Sequence, residues 1–323
     1  MTAGGSGSSG TVPHLNAAAA PDRLAAGDAS MGLARSRTGP PFATGSITLR
    51  IVDHTRSVQL PNGQTVPRTL RTIVRYPASD RTRSGDLRGA APARDAGPFP
   101  LIVFGHGFAV TPHLYARLLR AWAAAGYVVA APVFPLGNAD APGGPNESDL
   151  PNQPADMSLV ISRLLAASRA TSGTLGGLIS THAIAVAGQS DGGDTALAVA
   201  YDPRYRDARV GAAIILSGAE IPGIGGFQIQ AGGPPLLATQ GSADTVNPPS
   251  ATDAFYATAA VPKFLLTLPG ATHLPPYSSQ QPQLGVVERV TIAFLNHYLK
   301  RRPLKPLLSA GQVPGVAVLS AHP

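Results

Sequence analysis

Apolar and polar residues alternate over residues 46–52 and again over 69–76, the period-two pattern of strands buried on one face. Pro61-Asn62-Gly63 between them is a turn signal, so the two strands form an antiparallel start. Residues 79–97 read as a polar loop. The pattern then changes to short, wholly apolar runs at 100–104, 127–132, 183–187, 210–216, 235–239 and 263–268, as expected of strands covered on both faces. Between them lie stretches of helical period. Residues 111–125 form one, with Thr111 as N-cap, Pro112 at the first helical position, Gly126 as terminator, and Leu114, Leu118, Leu119 and Trp122 on the buried face. Further helices are predicted over 156–167, 195–201, 250–258 and 284–299, and nothing is assigned past Arg301.

Strand–helix alternation of this kind argues for an α/β fold: a mainly parallel sheet of about eight strands, helices on both faces and an antiparallel N-terminal pair. The expected organisation is a Gly/Ala/Ser/Pro-rich arm over 1–44, one catalytic domain over 45–303 and a C-terminal tail over 304–323. A cap would need a helical insertion, and the two longest connections, 137–154 and 220–233, are Gly/Pro loops without helical period. An open cleft follows, rimmed by those loops and by residues 275–277.

Composition narrows the reading. Gly 36 and Pro 32 make up about a fifth of the 323 residues, against about 12% in average usage, while charged residues are only 13%. Both point to a loop-rich enzyme with a weakly charged surface. The formal net charge is +7, and nine arginines fall between Arg50 and Arg94, including Arg81, Arg83, Arg88 and Arg94. No aromatic interleaving or recognition motif accompanies them, so nucleic acid is not an expected partner, and a solvated basic face away from the site is the simpler reading. No run approaches the 18 or so apolar residues of a membrane-crossing helix. With no cysteine, disulfides, thiolate metal sites and a cysteine nucleophile are excluded. The opening MTAGGSGSSG is a Gly/Ser segment of the kind a trimmed export signal leaves behind, though a native or cloning origin explains it too, and the compartment stays open.

In such a sheet, ligands bind beyond the carboxyl ends of the strands. After the run ending at Ala187 comes Gly188-Gln189-Ser190-Asp191-Gly192-Gly193, then a helix. This is G-x-S-x-G between a buried strand and a helix, the context in which glycines permit a strained turn that lifts the serine oxygen clear of the backbone. A glycine-rich structural turn would explain the glycines but has no need of the serine. A serine hydroxyl requires a base, and the base a carboxylate to orient it. His273 follows the 263–268 strand and Asp244 the 235–239 strand, 54 residues beyond Ser190 and 29 before His273. Glu220 is the alternative acid, and His182, His297 and His322 read as surface or packing residues. The oxyanion should meet the backbone N–H of Asp191 and that of Phe108, in the Gly105-His106-Gly107-Phe108 loop after the 100–104 strand, with His106 supporting that loop.

Gly105-His106-Gly107-Phe108, Gly188-x-Ser190-x-Gly192-Gly193, Gly241-x-x-Asp244-x-x-x-Pro248 and Gly270-x-x-His273 stand in the order seen in α/β hydrolases. Over about residues 45–300 the chain resembles the lidless branch of dienelactone hydrolases, chlorophyllase-like esterases and cutinase-like polyester hydrolases. The resemblance implies a Ser190–Asp244–His273 triad, acyl transfer to water through an acyl-enzyme, and no cofactor or metal. Polyester hydrolases of that branch often carry His or Trp before the nucleophile and Met after it, where this chain has Gln189 and Asp191. The expected substrate is a short-chain or surface-accessible ester, small or polymeric, contacted by Phe108, Gln189 and Asp191 and handled by a monomer. Asp191 should either disfavour anionic esters or turn aside to cap its helix. A peptidase or amidase with the same triad and a non-catalytic binding protein of this fold are the other classes.

Overall fold

The computed structural model describes residues 41–81, 84–227, 229 and 232–323. Residues 1–40 of the arm expected over 1–44, and Arg83, lie outside them, while Ala43 and Thr44 already belong to the first strand. Among the described residues ten strands form one sheet: β1 (Ala43–Gln59), β2 (Thr65–Ala78), β3 (Leu87–Arg88), β4 (Phe99–Gly105), β5 (Val128–Val133), β6 (Ile179–Gln189), β7 (Ala212–Leu216), β8 (Leu236–Gly241), β9 (Lys263–Leu268) and β10 (Val318–His322). Their order is β10-β9-β8-β7-β6-β4-β5-β2-β1-β3. Strands β4 to β9 run parallel, whereas β2 pairs antiparallel with both β1 and β5. This is the α/β-hydrolase architecture that the pattern predicts, with two strands more than expected. The additions are the two-residue β3 at one edge and β10 at the other, antiparallel to β9.

Seven α-helices connect the strands: α1 (Ala116–Ala124), α2 (Gln153–Arg169), α3 (Asp191–Tyr201), α4 (Pro249–Thr258), α5 (Pro275–Ser278), α6 (Gln283–Lys300) and α7 (Lys305–Ala310). The period of two divides each buried strand between the faces. Leu101 and Val103 of β4 join a core with Val160, Ile161 and Leu164 of α2 and Leu197 of α3. Ile102 and Phe104 join another with Leu118 and Trp122 of α1 and Val287, Val290 and Phe294 of α6. Trp122 is fully buried and its indole N–H donates to Thr291 Oγ1 at 2.8 Å, so the ring sits in the core without an unpaired polar atom.

Two local expectations fail for physical reasons. Leu114, expected on the buried face, is 39% exposed. Residues Pro112–Tyr115 form a 3₁₀ turn before α1, and its tighter winding rotates Tyr115 inward in place of Leu114. The arginine-rich segment is not a solvated face throughout. Arg68, 1% exposed, lies in phase with the inward Leu70, Thr72 and Val74 of β2. It forms paired hydrogen bonds to Asp149 and to Asp156, and Arg56 adds a bond to Asp156 at 2.8 Å. Burial works against the Arg68 cation, but the bonds to Asp156 and Asp149 more than offset it and its pKa is raised. Arg75 is likewise buried and pairs with Asp86.

The segment past Arg301 is ordered as α7 and β10, with Leu307 and Leu319 in the core. Between β5 and α2 the described chain forms only a 3₁₀ turn at Glu147–Asn152, and the described residues between β7 and β8 carry no α-helix. No cap covers the strand ends among the described residues. The sheet order reverses at β4, which lies between β6 and β5, and that reversal opens the crevice where the candidate residues gather.

Candidate active site

The tight turn at Ser190 follows from its glycines. Ser190 joins β6 to α3 with φ 54° and ψ −131°, a region that costs a non-glycine residue about 1–3 kcal/mol. The turn is tight enough that a Cβ on Gly188 would overlap the carbonyl of Gly192, and one on Gly192 would overlap that of Gly105. The elbow is tied down by Ser190 N–H donating to the Leu216 carbonyl at 3.0 Å and Asp194 N–H donating to the Ser190 carbonyl at 3.0 Å. The serine is 9% exposed at the base of the crevice.

Three loops bring the expected partners to it. His273, in the turn after β9, has Nε2 at 2.9 Å from Ser190 Oγ and Nδ1 at 2.8 Å from Asp244 Oδ2. Asp244 is 3% exposed, and its other oxygen accepts from Val246 N–H at 2.9 Å and Asn247 N–H at 3.0 Å. Those two donors lock the carboxylate plane, so Oδ2 is aimed at the imidazole. With Nδ1–H donating to Asp244, Nε2 carries the lone pair that faces the serine. Glu220 is engaged elsewhere, accepting from Gly226 N–H at 3.0 Å. His182 and His322 are exposed, and His297 contacts the Arg302 carbonyl at 2.6 Å.

The loop after β4 closes the other side. Gly107 is so near that a Cβ there would stand 3.2 Å from Ser190 Cβ and 2.9 Å from Gln189 Oε1. His106 is 1% exposed, and burial lowers its pKa to about 4, so the ring is neutral. Its Nε2 accepts from Phe134 N–H at 3.0 Å while Nδ1–H donates to the Gly107 carbonyl at 2.8 Å. That carbonyl shares a peptide plane with the Phe108 N–H, so His106 fixes the direction of both. The Phe108 ring is 37% exposed at the rim.

Asp191 and Gln189 differ from the expectation that both face substrate. Gln189 is 1% exposed, with its amide turned to Tyr115 and His273. Asp191 is 6% exposed, and its Oδ2 has no hydrogen-bond partner. Burial, and then the charge of Glu147, raise its pKa to about 6. Asp194 beneath it is raised well above the carboxylate range, again by burial first. A carboxyl whose pKa is higher folded than unfolded binds its proton more tightly in the fold. Stability is therefore lost as pH rises from about 4 to about 6. Asp191→Asn should thus raise unfolding free energy at pH 8 by up to about 3 kcal/mol and leave it unchanged near pH 4. Urea denaturation at both pH values reads the difference.

Among the described residues no group of three or more His, Cys, Asp or Glu side chains could hold a metal ion, and no helix is long and apolar enough to cross a membrane. Comparison with known proteins agrees with the geometry. The chain matches the model of the family described as Chlorophyllase over residues 74–218, the stretch from β2 through the elbow to the end of β7. Among solved structures it is similar to a ferulic acid esterase from Streptomyces cinnamoneus, with a TM-score of 0.60 and 22% identity over 84% of this chain and 94% of that one. No curated protein matches the sequence. The protein has the α/β-hydrolase fold, and the family model it matches is that of one of the esterase families its motifs resemble. In all 1078 structure chains match, and since a fold does not fix a substrate, the substrate is read from the site.

Proposed function

We propose that the protein is a serine carboxylic-ester hydrolase with Ser190 as nucleophile, His273 as base and Asp244 as the acid that orients it. The observation that carries this reading is the relay of Ser190 Oγ to His273 Nε2 at 2.9 Å and His273 Nδ1 to Asp244 Oδ2 at 2.8 Å, at the strained elbow of the fold. As Ser190 Oγ attacks the ester carbonyl carbon, its proton passes to His273 Nε2. The imidazolium is stabilised by Asp244, and the carbonyl electrons collect on an oxyanion met by the N–H groups of Phe108 and Asp191. Collapse expels the alcohol, which takes the proton from His273, and leaves the acyl group on Ser190. Water, deprotonated by His273, then attacks the acyl carbon and releases the acid and free Ser190.

The crevice has no cap among the described residues, which favours short acyl chains or a substrate lying across the surface. The exposed apolar side chains Phe108 and Val246 stand on the loops after β4 and β8. The resemblance extends the proposal to polyesters, and the solved neighbour's name to esters of ferulic acid. A panel of p-nitrophenyl esters of rising acyl length, with methyl ferulate, a soluble polyester oligomer and an aminopeptidase substrate, tests it. Turnover should be highest at two to four acyl carbons (an order-of-magnitude expectation for an open crevice) and absent in Ser190→Ala. Cleavage of the amide with all esters inert would contradict it.

A further inference from the structure

Gln189 stands immediately before the nucleophile, buried, and both ends of its amide are engaged. Oε1 accepts from the Tyr115 hydroxyl at 2.7 Å, and Nε2 donates to the His273 carbonyl at 3.2 Å. The Tyr115 hydroxyl in turn accepts the Gly107 N–H at 3.3 Å. These contacts determine which way the amide points. Turned over, it would set Oε1 against the His273 carbonyl and leave the Tyr115 proton without its acceptor. A single chain of donors and acceptors therefore runs from the oxyanion loop, through Tyr115 and the residue beside the nucleophile, to the backbone of the base.

The same amide nitrogen lies 3.3 Å from His273 Nε2. With Nδ1–H committed to Asp244, Nε2 offers one lone pair to two donors, Ser190 Oγ–H at 2.9 Å and the Gln189 amide. The serine contact is the shorter. The amide limits how far the ring can swing away from it, and it is held in place by its bond to the His273 carbonyl.

We propose that Gln189 is a positioning residue that, with Tyr115, holds the oxyanion loop at Gly107 and the base loop at His273 in register about Ser190. The inference rests on the esterase reading above. It differs from a packing role because it requires the two hydrogen-bonding side chains to act as one unit. Removing either should break the link, and removing the second should then do little more.

The test compares Gln189→Met, Tyr115→Phe and the double variant with wild type, on p-nitrophenyl butyrate and on phosphonylation of Ser190 by a fluorophosphonate. Each single change should lower kcat about tenfold with KM within about twofold, and slow phosphonylation by the same factor. The double variant should fall no further than the worse single variant. Wild-type kcat in the single variants, effects that multiply in the double, or a rise in KM alone would each overturn the proposal. Tyr115→Phe removes one oxygen atom and carries the test alone should Gln189→Met not fold. Active, phosphonylated wild type with indifferent variants removes this inference only. A wild type that neither hydrolyses esters nor reacts with the fluorophosphonate removes the esterase reading, and this inference with it.

Discussion

Ser190→Ala should lower kcat on a short ester by about four to six orders of magnitude while the protein unfolds at an unchanged or higher denaturant concentration. The two readouts move apart because the serine oxygen is the proposed nucleophile, whereas the strained backbone carries a Cβ in serine and alanine alike. Asp244→Asn should cost about 10⁴ in kcat. The asparagine amide can offer N–H toward His273 Nδ1, which favours the tautomer with the proton on Nε2 and takes the acceptor away from Ser190. Steady-state kinetics on p-nitrophenyl butyrate, with circular dichroism as a check on folding, reads both. Loss within tenfold in either variant would mean the relay is not the catalytic path.

The largest stability effect should come from Arg68→Met, at about 3–5 kcal/mol. Arg68 lies on β2, while its partners Asp149 and Asp156 lie 81 and 88 residues further on. Their side chains are 3% or less exposed, so removing the guanidinium strands two carboxylates in the interior, with Arg56 still on Asp156 but the uncharged Asn152 amide on Asp149. Most of the predicted loss is the cost of those uncompensated charges rather than of the bonds themselves. Adding Asp149→Asn and Asp156→Asn to Arg68→Met should therefore recover part of it. The network also anchors the segment carrying Glu147, whose charge acts on Asp191 beside Ser190. Guanidinium denaturation reads the effect, and a midpoint equal to wild type in Arg68→Met would contradict the assignment.

The parts of the molecule legible in the sequence are those whose signals are local. Buried strands announce themselves as apolar runs, and the β6 run followed by Gly188 to Gly193 and a helix identifies the elbow, because few other turns need glycine at those positions. His273 and Asp244 could be picked out because each follows a recognisable strand. What escaped depends on pairs distant in the chain. Tyr115 is 74 residues from Gln189, and nothing near either marks them as partners. Arg68 did leave a trace, since it is in phase with the inward-facing residues of β2, and an arginine in that register implies buried acids somewhere. The C-terminal segment was unreadable for a different reason. β10 alternates weakly, and it is a strand because β9 offers it an open edge.

The central claim is that Ser190 is the acyl-accepting nucleophile. Intact-mass and peptide mass spectrometry after brief exposure to a short-chain p-nitrophenyl ester, quenched before the first turnover is complete, tests it most directly. A single acyl adduct on the peptide containing Ser190, absent in Ser190→Ala and accumulating in wild type, is the predicted result. An adduct on another residue, or ester turnover that persists in Ser190→Ala, would contradict it.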